Sequence, residues 1–156
     1  VIAEGLDRPW SLAVIDDRNI IFTELSGSLR QIKDGKLLST PVAGTPEVLF
    51  SSGLCSIKGE CYPEDITEFS APVMDHLRAE LKASDSYRVE IELYYFNSSS
   101  AKFFYDFFEF LDETASNETA IQVIWRYQEE DDTMEEAGEE FEEDLEHVDF
   151  TLEPIG

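Results

Sequence analysis

The sequence predicts an α/β fold over residues 45–156, in which a mixed β-sheet is covered by helices, preceded over residues 1–44 by a short β-meander. Apolar residues alternate strictly along 88–96, as in a half-buried strand, and neighbouring segments repeat them every 3.6 residues or so, as in amphipathic helices. The predicted elements follow the order ββαβαβαβ. This order favours a central sheet covered by helices, and helical crossovers make the later strands mostly parallel.

The N-terminal segment is predicted to contain four short strands, 10–15, 18–25, 28–32 and 36–39, separated by turn residues. Asp34-Gly35 between two of these runs is typical of a hairpin turn.

The second segment begins with a predicted hairpin of 48–51 and 54–58. A helical stripe follows, formed by Ile66, Phe69, Val73, Leu77 and Leu81. Pro72 lies inside this pattern, so the helix either begins near Ser70 or bends at the proline.

The remaining elements alternate between strand and helix. The strand 88–96 places Val89, Ile91, Leu93 and Tyr95 on one face. A helix is then predicted from the serine cluster to about Ala115, a strand over 120–127, a helix over 133–147 and a last strand over 148–152.

Charge restricts the function. The chain has 11 Lys and Arg residues and 35 Asp and Glu residues, which gives a net charge of −24. Its hydrophobic residues, 42% of the total, are sufficient for one core. So acidic a chain is repelled by nucleic acid and by anionic membranes, and its expected partners are proteins, cations or basic surfaces.

The sequence has neither a membrane-spanning run nor a secretion signal, so we expect a cytoplasmic protein. Cys55 and Cys61 are expected to be reduced structural thiols.

The acidity is unevenly distributed. Residues 1–48 hold seven acidic and five basic residues, whereas the other 108 residues hold 28 acidic and six basic ones. This shift in composition predicts two segments of different origin.

The N-terminal string GLDRPWSLAVIDDRNIIFTELSGSLRQIKDGKLLSTPVAG resembles the opening of soluble aldose and sorbosone dehydrogenases. Those quinoproteins are six-bladed β-propellers built around pyrroloquinoline quinone. The resemblance covers about one blade, and the quinone and calcium ligands of that family lie on later blades. It therefore implies a fragment without activity, and the chain is expected to need no cofactor.

Three motifs in the second segment, GECYPED, YYFNSSSAK and WRYQEEDDTMEEAGEEFEEDL, resemble those of SiaC-type regulatory phosphoproteins from about Gly44 onwards. The resemblance implies a STAS-like fold and a partner switch. A serine/threonine kinase phosphorylates such a domain and a PP2C-type phosphatase reverses this. The unphosphorylated form binds an effector such as a diguanylate cyclase, in biofilm signalling.

The serines after the strand 88–96 are the candidate modification site. The family's acceptor threonine maps onto Ser98, with Ser99 and Ser100 as alternatives, and capping of the helix is the structural role such a serine would otherwise have. A phosphate there would face free N–H groups and the positive end of the helix dipole. We expect Asn97, Ser99, Lys102 and Phe103 to contact the partner. Lys102 is also placed one turn into the helix to neutralise the added phosphate, and the alternative interpretation is a solvated lysine. For Asn97 the alternative interpretation is a turn residue.

The segment 128–149 contains thirteen acidic residues and no Lys or Arg. It is interpreted as an amphipathic helix whose acidic face is either solvated or a docking surface, with Asp132 and Glu135 as a capping box. The EF-hand spacing is missing, so no metal site is predicted.

Three phenylalanines, Phe103, Phe107 and Phe110, widen the apolar face of the preceding helix. Either burial of this face or a contact patch for a partner would explain them. His76 and His147 are interpreted as surface or cap residues, no catalytic residue is assigned, and a plain acidic scaffold remains an alternative.

Overall fold

The computed structural model describes the backbone of residues 9–16, 19–24, 29–33 and 36–37, and residues 44–117 and 119–156 with their side chains. The first ranges form an antiparallel sheet in the order β1-β2-β3-β4. Its strands are β1 (Pro9–Asp16), β2 (Asn19–Glu24), β3 (Leu29–Lys33) and β4 (Lys36–Leu37). The predicted β-meander is therefore present.

The second sheet has five strands in the order β5-β6-β7-β8-β9. The hairpin β5–β6 is antiparallel, and the pairs β6–β7, β7–β8 and β8–β9 are parallel. The elements are β5 (Glu47–Ser51), β6 (Leu54–Cys61), α1 (Ile66–Leu81), β7 (Ser86–Phe96), α2 (Ser98–Ala115), β8 (Ala120–Gln128), α3 (Asp132–Glu142) and β9 (Asp149–Ile155). The predicted order ββαβαβαβ and the mixed sheet are confirmed.

All three helices cover one face of this sheet. The inward residues Val89, Ile91 and Leu93 of β7 are buried beneath them, and so is Trp125 of β8. The other face carries cross-strand ion pairs, such as Lys58 Nζ to Glu92 Oε2 at 3.0 Å. The sheet is therefore apolar on its helical side and largely polar or charged on its other side, where Ile124 of β8 is also buried.

Helix α1 begins at Ile66, because the Asp65 side chain accepts a hydrogen bond from the Thr67 N–H at 2.8 Å and caps the first turn. Pro72 lies buried within the helix. A start near Ser70, one of the two predicted alternatives, is thus wrong.

A β-bulge at the end of β7 changes which side chains face the core. Leu93 pairs with Gly59, but Tyr95 pairs with Glu60, so Tyr94 is the extra residue. Phe96 then takes the core side, and Tyr95 is 49% exposed. The prediction that Tyr95 shares the inner face with Val89 was wrong, because strict alternation does not anticipate a bulge.

Helix α3 ends at Glu142, five residues before the predicted end at His147. The N–H groups of Glu146, His147 and Val148 instead donate to Asp112 Oδ1 on α2, at 3.0, 2.7 and 3.0 Å. The Asp112 carboxylate therefore takes the backbone N–H groups that a longer α3 would use in its own hydrogen bonds, and it directs the chain into β9. The N-cap of α3 is Asp131, not Asp132, and accepts from the Met134 N–H at 3.2 Å.

Candidate functional site

Three helices begin at the same edge of the five-stranded sheet. Because β6, β7 and β8 are parallel, α1, α2 and α3 each start just beyond the carboxyl end of a strand, with Asp65, Asn97 and Asp131 as their N-caps. Binding sites in open parallel sheets are typically found at this edge. The serine cluster lies at the central one of the three helix starts.

Asn97 holds the first turn of α2 in place. Its Oδ1 accepts hydrogen bonds from the Ser100 N–H and from Ser99 Oγ, both at 3.0 Å. Its own N–H donates to the Cys61 carbonyl of β6 at 3.2 Å, which ties the helix start to the neighbouring strand. Asn97 is thus the N-cap of α2. The interpretation of Asn97 as a simple turn residue was wrong, and so was the alternative in which a serine caps the helix.

The three serines have different environments. Ser98 is exposed, and its hydroxyl makes no hydrogen bond within the described chain. Ser99 is exposed, but its hydroxyl donates to Asn97. Ser100 is 0% exposed, and its hydroxyl makes no hydrogen bond of ordinary geometry. It lies beside the Cys61 thiol. Burial raises the pKa of that thiol to about 11, and the Ser100 hydroxyl acts in the opposite direction.

An anion at Ser98 would meet favourable charge. Helix starts leave N–H groups without intrahelical partners, and here those of Ser98 and Ser99 have no described partner. The helix dipole adds positive potential at the same point. Lys102, one turn later and 77% exposed, lies on the same helix face and pairs with Asp106 at 3.1 Å.

An exposed aromatic pair adjoins the helix start. Tyr62 follows Cys61 at the end of β6, and Tyr95 lies at the bulge of β7, with their ring centroids 5.7 Å apart in an edge-to-face arrangement. The two side chains are 45% and 49% exposed. Exposed tyrosines of this kind are typical anchors of protein interfaces. Sequence reasoning missed this pair, since its signal, the YY dipeptide before the serines, was attributed to the strand.

Phe103, predicted to contact a partner, is 7% exposed and packs on Phe69 of α1 with centroids 5.7 Å apart. Its ring belongs to the core in this structure because α1 covers it. Phe107 is also buried and Phe110 is partly buried, so the widened apolar face of α2 mostly serves packing. Asn97, Ser99 and Lys102 lie together at the helix start, at least partly exposed.

Helix α3 packs through Met134 and Phe141, and most of its carboxylates are exposed. Glu135 accepts a hydrogen bond from the Tyr127 hydroxyl at 2.7 Å, and the Trp125 indole donates to the Met134 carbonyl at 2.8 Å. His147 lies on the surface with Nδ1 2.9 Å from Asp112 Oδ2. Burial would raise the pKa of Asp112, but the hydrogen bonds from the His147 ring and the backbone lower it below its usual value.

Cys55 and Cys61 are both free and buried, and burial raises the pKa of the Cys55 thiol. Across 44–117 and 119–156, no three His, Cys, Asp or Glu side chains converge closely enough to hold a metal ion. None of the described helices has the length and apolar character needed to cross a membrane.

Comparison with known proteins identifies relatives of the second segment. The family model "SiaC family regulatory phosphoprotein" matches residues 40–155. The crystal structure of apo-SiaC from Pseudomonas aeruginosa is 25% identical and superposes with a TM-score of 0.66, covering 74% of this chain and 95% of that one. A chain of the crystal structure of diguanylate cyclase SiaD in complex with its activator SiaC, from the same species, is 26% identical, with a TM-score of 0.68 and coverage of 72% of this chain and 93% of that one.

Two further matches concern sequence. An uncharacterized protein of Pseudomonas aeruginosa strain UCBPP-PA14 is 30% identical over 98 residues, which are 61% of this chain and 76% of that protein. The glucose/sorbosone dehydrogenase family model matches residues 6–60. Aldose sugar dehydrogenase YliI of Escherichia coli is 41% identical over 49 residues, which are 31% of this chain and 13% of the enzyme.

Proposed function

The chain belongs to the SiaC family of regulatory phosphoproteins, and on this premise we propose that it is a phosphorylation-controlled partner switch rather than an enzyme. A serine/threonine kinase adds a phosphate to Ser98, and a PP2C-type phosphatase removes it. The unphosphorylated form binds an effector of the diguanylate cyclase type, the class bound by the related SiaC. The switch operates in the cytoplasm and controls biofilm formation.

The environment of the three serines supports Ser98 as the acceptor. Ser98 combines an exposed side chain with a hydroxyl that is not engaged in a hydrogen bond within the described chain. Modifying Ser99 would break its bond to the cap residue Asn97, and Ser100 has no exposed surface for a kinase to reach.

The same geometry explains how a phosphate acts without unfolding the domain. Phosphoserine adds about two negative charges, and at this helix start the N–H groups, the dipole and Lys102 all stabilise them. The fold therefore tolerates the phosphate. A partner that covers Ser98 and the tyrosine pair would have to desolvate or repel it, and binding is lost.

The sugar dehydrogenase match supports no second activity, because the matched stretch spans 13% of the curated enzyme. The division into segments 1–44 and 45–156 remains a prediction. Asn97, Ser99 and Lys102 remain our proposed partner contacts, and the proposal makes no use of Phe103.

The modification is tested by mass spectrometry of protein co-expressed with its genomic neighbours. We expect one added phosphate on Ser98 that is lost in Ser98→Ala and retained in the matched control Ser99→Ala. A phosphate retained in Ser98→Ala, or no phosphate on the wild type when the neighbours include an active kinase, would contradict the proposal.

The switch is tested by calorimetry with the diguanylate cyclase encoded nearest to it. We expect the phosphorylated form to bind at least tenfold more weakly than the unmodified form, which corresponds to about 1.4 kcal/mol. Ser98→Ala should bind like the unmodified protein. Equal binding by both forms would show that the phosphate does not control this partner.

A further inference from the structure

A groove lies between the second half of α2 and the C-terminal end of α3, with a cavity volume of about 370 Å³. We call it the α2–α3 groove. Phe108, Phe141 and Leu145 form its apolar floor, and Tyr105 forms one wall. The Tyr105 ring packs edge-on against Phe141 with centroids 4.7 Å apart, yet the side chain remains 44% exposed. An aromatic surface is thus packed against the core on one side and open to a ligand on the other.

The rim of the groove is acidic. Glu109, Glu113 and Asp144 line it, and within the described chain none of the three is in an ion pair. The fourth lining carboxylate, Asp112, is already satisfied by His147 and three backbone N–H groups.

Neither helix supplies a free lysine or arginine to the rim, and Arg78 of α1, which lies over the Phe110 ring, pairs with Asp75 at 3.4 Å. Lys102 is the one lysine or arginine on α2 and pairs with Asp106, and α3 has none. Partial burial and the carboxylates of Glu140 and Asp144 raise the pKa of Tyr105, as expected in a negative potential.

The arrangement does not suit a metal ion, because in the described ranges no three carboxylate, histidine or cysteine ligands converge on one point. Separated carboxylates beside an aromatic wall fit a larger, planar, weakly hydrated cation. A guanidinium group can stack on the ring and donate to carboxylates on different sides at once. We infer that the α2–α3 groove binds an arginine side chain presented by a partner protein.

This inference goes beyond the phosphorylation switch, because it requires no modification of Ser98. The groove and the switch lie on the same helix, roughly 17 Å apart between Ser98 and Glu109 at the helical rise. Charge complementarity determines the kind of partner. A chain with a net charge of −24 attracts basic surfaces. In this groove, one cationic side chain of such a surface would be desolvated against the apolar floor.

The test uses the whole unmodified chain of 156 residues and an alanine-based helical peptide with two arginines four residues apart. The same peptide with citrulline at both positions keeps the shape and removes the charge. Binding is measured by calorimetry at about 150 mM salt, where exposed charges are screened beyond roughly 8 Å. The test variant is E109Q/E113Q. The matched control, E129Q/E130Q, removes the same number of charges just before the N-terminus of α3, away from the groove at its C-terminal end.

We expect the arginine peptide to bind and the citrulline peptide not to bind. E109Q/E113Q should weaken binding about tenfold, and E129Q/E130Q less than about twofold. Tyr105→Leu, which keeps apolar contact with Phe141, should weaken it about threefold through loss of ring stacking. Circular dichroism verifies that each variant is folded.

Three results would overturn the inference. Equal weakening by the two glutamine pairs would indicate general charge attraction, and equal binding of the citrulline peptide would remove the role of the cation. Absence of any binding by the arginine peptide would leave the groove without this ligand.

Discussion

At Gly138 the backbone of α3 lies close against the buried Trp125 ring. A Cβ atom there would lie 2.6 Å from Trp125 Cδ1 and 2.8 Å from Nε1, whereas carbon atoms normally pack at about 3.5–4.0 Å. Gly138→Ala therefore sets two effects of opposite sign against each other. Alanine is favoured over glycine inside a helix by about 1 kcal/mol, but its methyl group has no room.

The structure indicates that the overlap prevails. Trp125 is fully buried, and its indole N–H is bonded to the Met134 carbonyl, so the ring cannot retreat without losing that bond. Overpacking costs about 1–3 kcal/mol, and a lost hydrogen bond adds about 1 kcal/mol. After the helix-propensity gain of about 1 kcal/mol is subtracted, we expect Gly138→Ala to destabilise the protein by about 1–3 kcal/mol.

The free energy of unfolding is measured by urea denaturation, followed by circular dichroism. Ala137→Gly, at the neighbouring half-buried position, is the matched control, and it calibrates what a glycine costs in this helix. The second test is the double variant Gly138→Ala with Trp125→Phe. The smaller ring should make room for the methyl group, and the double variant should be less destabilised than the sum of the two single changes by at least about 0.6 kcal/mol.

A Gly138→Ala protein more stable than the wild type would refute the steric argument, because propensity would then outweigh the overlap. Strictly additive effects in the double variant would show that Trp125 is not the group in conflict.

Three further outcomes are expected. Asn97→Ala removes the acceptor for the Ser100 N–H and should cost about 1 kcal/mol with faster amide exchange over the first turn of α2, whereas unchanged exchange would argue against the cap. Asp112→Asn should destabilise the protein by about 1–2 kcal/mol at pH 7. Because the folded pKa of Asp112 is lowered, its contribution is present above the unfolded value of about 3.9 and is lost as pH falls through the folded value. The difference from wild type in urea titrations should thus shrink below about pH 4, and a constant difference would exclude this charge effect. Cys55 and Cys61 should resist thiol reagents at pH 7.5 until the protein is unfolded, and rapid labelling of either in the native state would contradict their burial.

Local periodicity was sufficient to predict the succession of elements. Val89, Ile91 and Leu93 alternate because one face of β7 is buried under the helices, and the stripe from Ile66 to Leu81 repeats at the period of a helix for the same reason. Periodicity failed where contacts distant in sequence overrule it. The bulge opposite Gly59 and Glu60 turned Tyr95 outwards, and Asp112 ended α3 by capturing the backbone of residues 146–148.

The site shows the same division. The sequence by itself determined the fold class, the strong negative charge, the family and the position of three serines at a helix start, because composition, period and motif are properties of neighbouring residues. Only the tertiary structure distinguished the serines. Which hydroxyl is open, which is tied to Asn97 and which lies buried beside Cys61 depends on how β6, β7 and α2 come together. Burial and hydrogen-bond satisfaction are set by atoms brought together from distant parts of the chain, and a local pattern does not encode them.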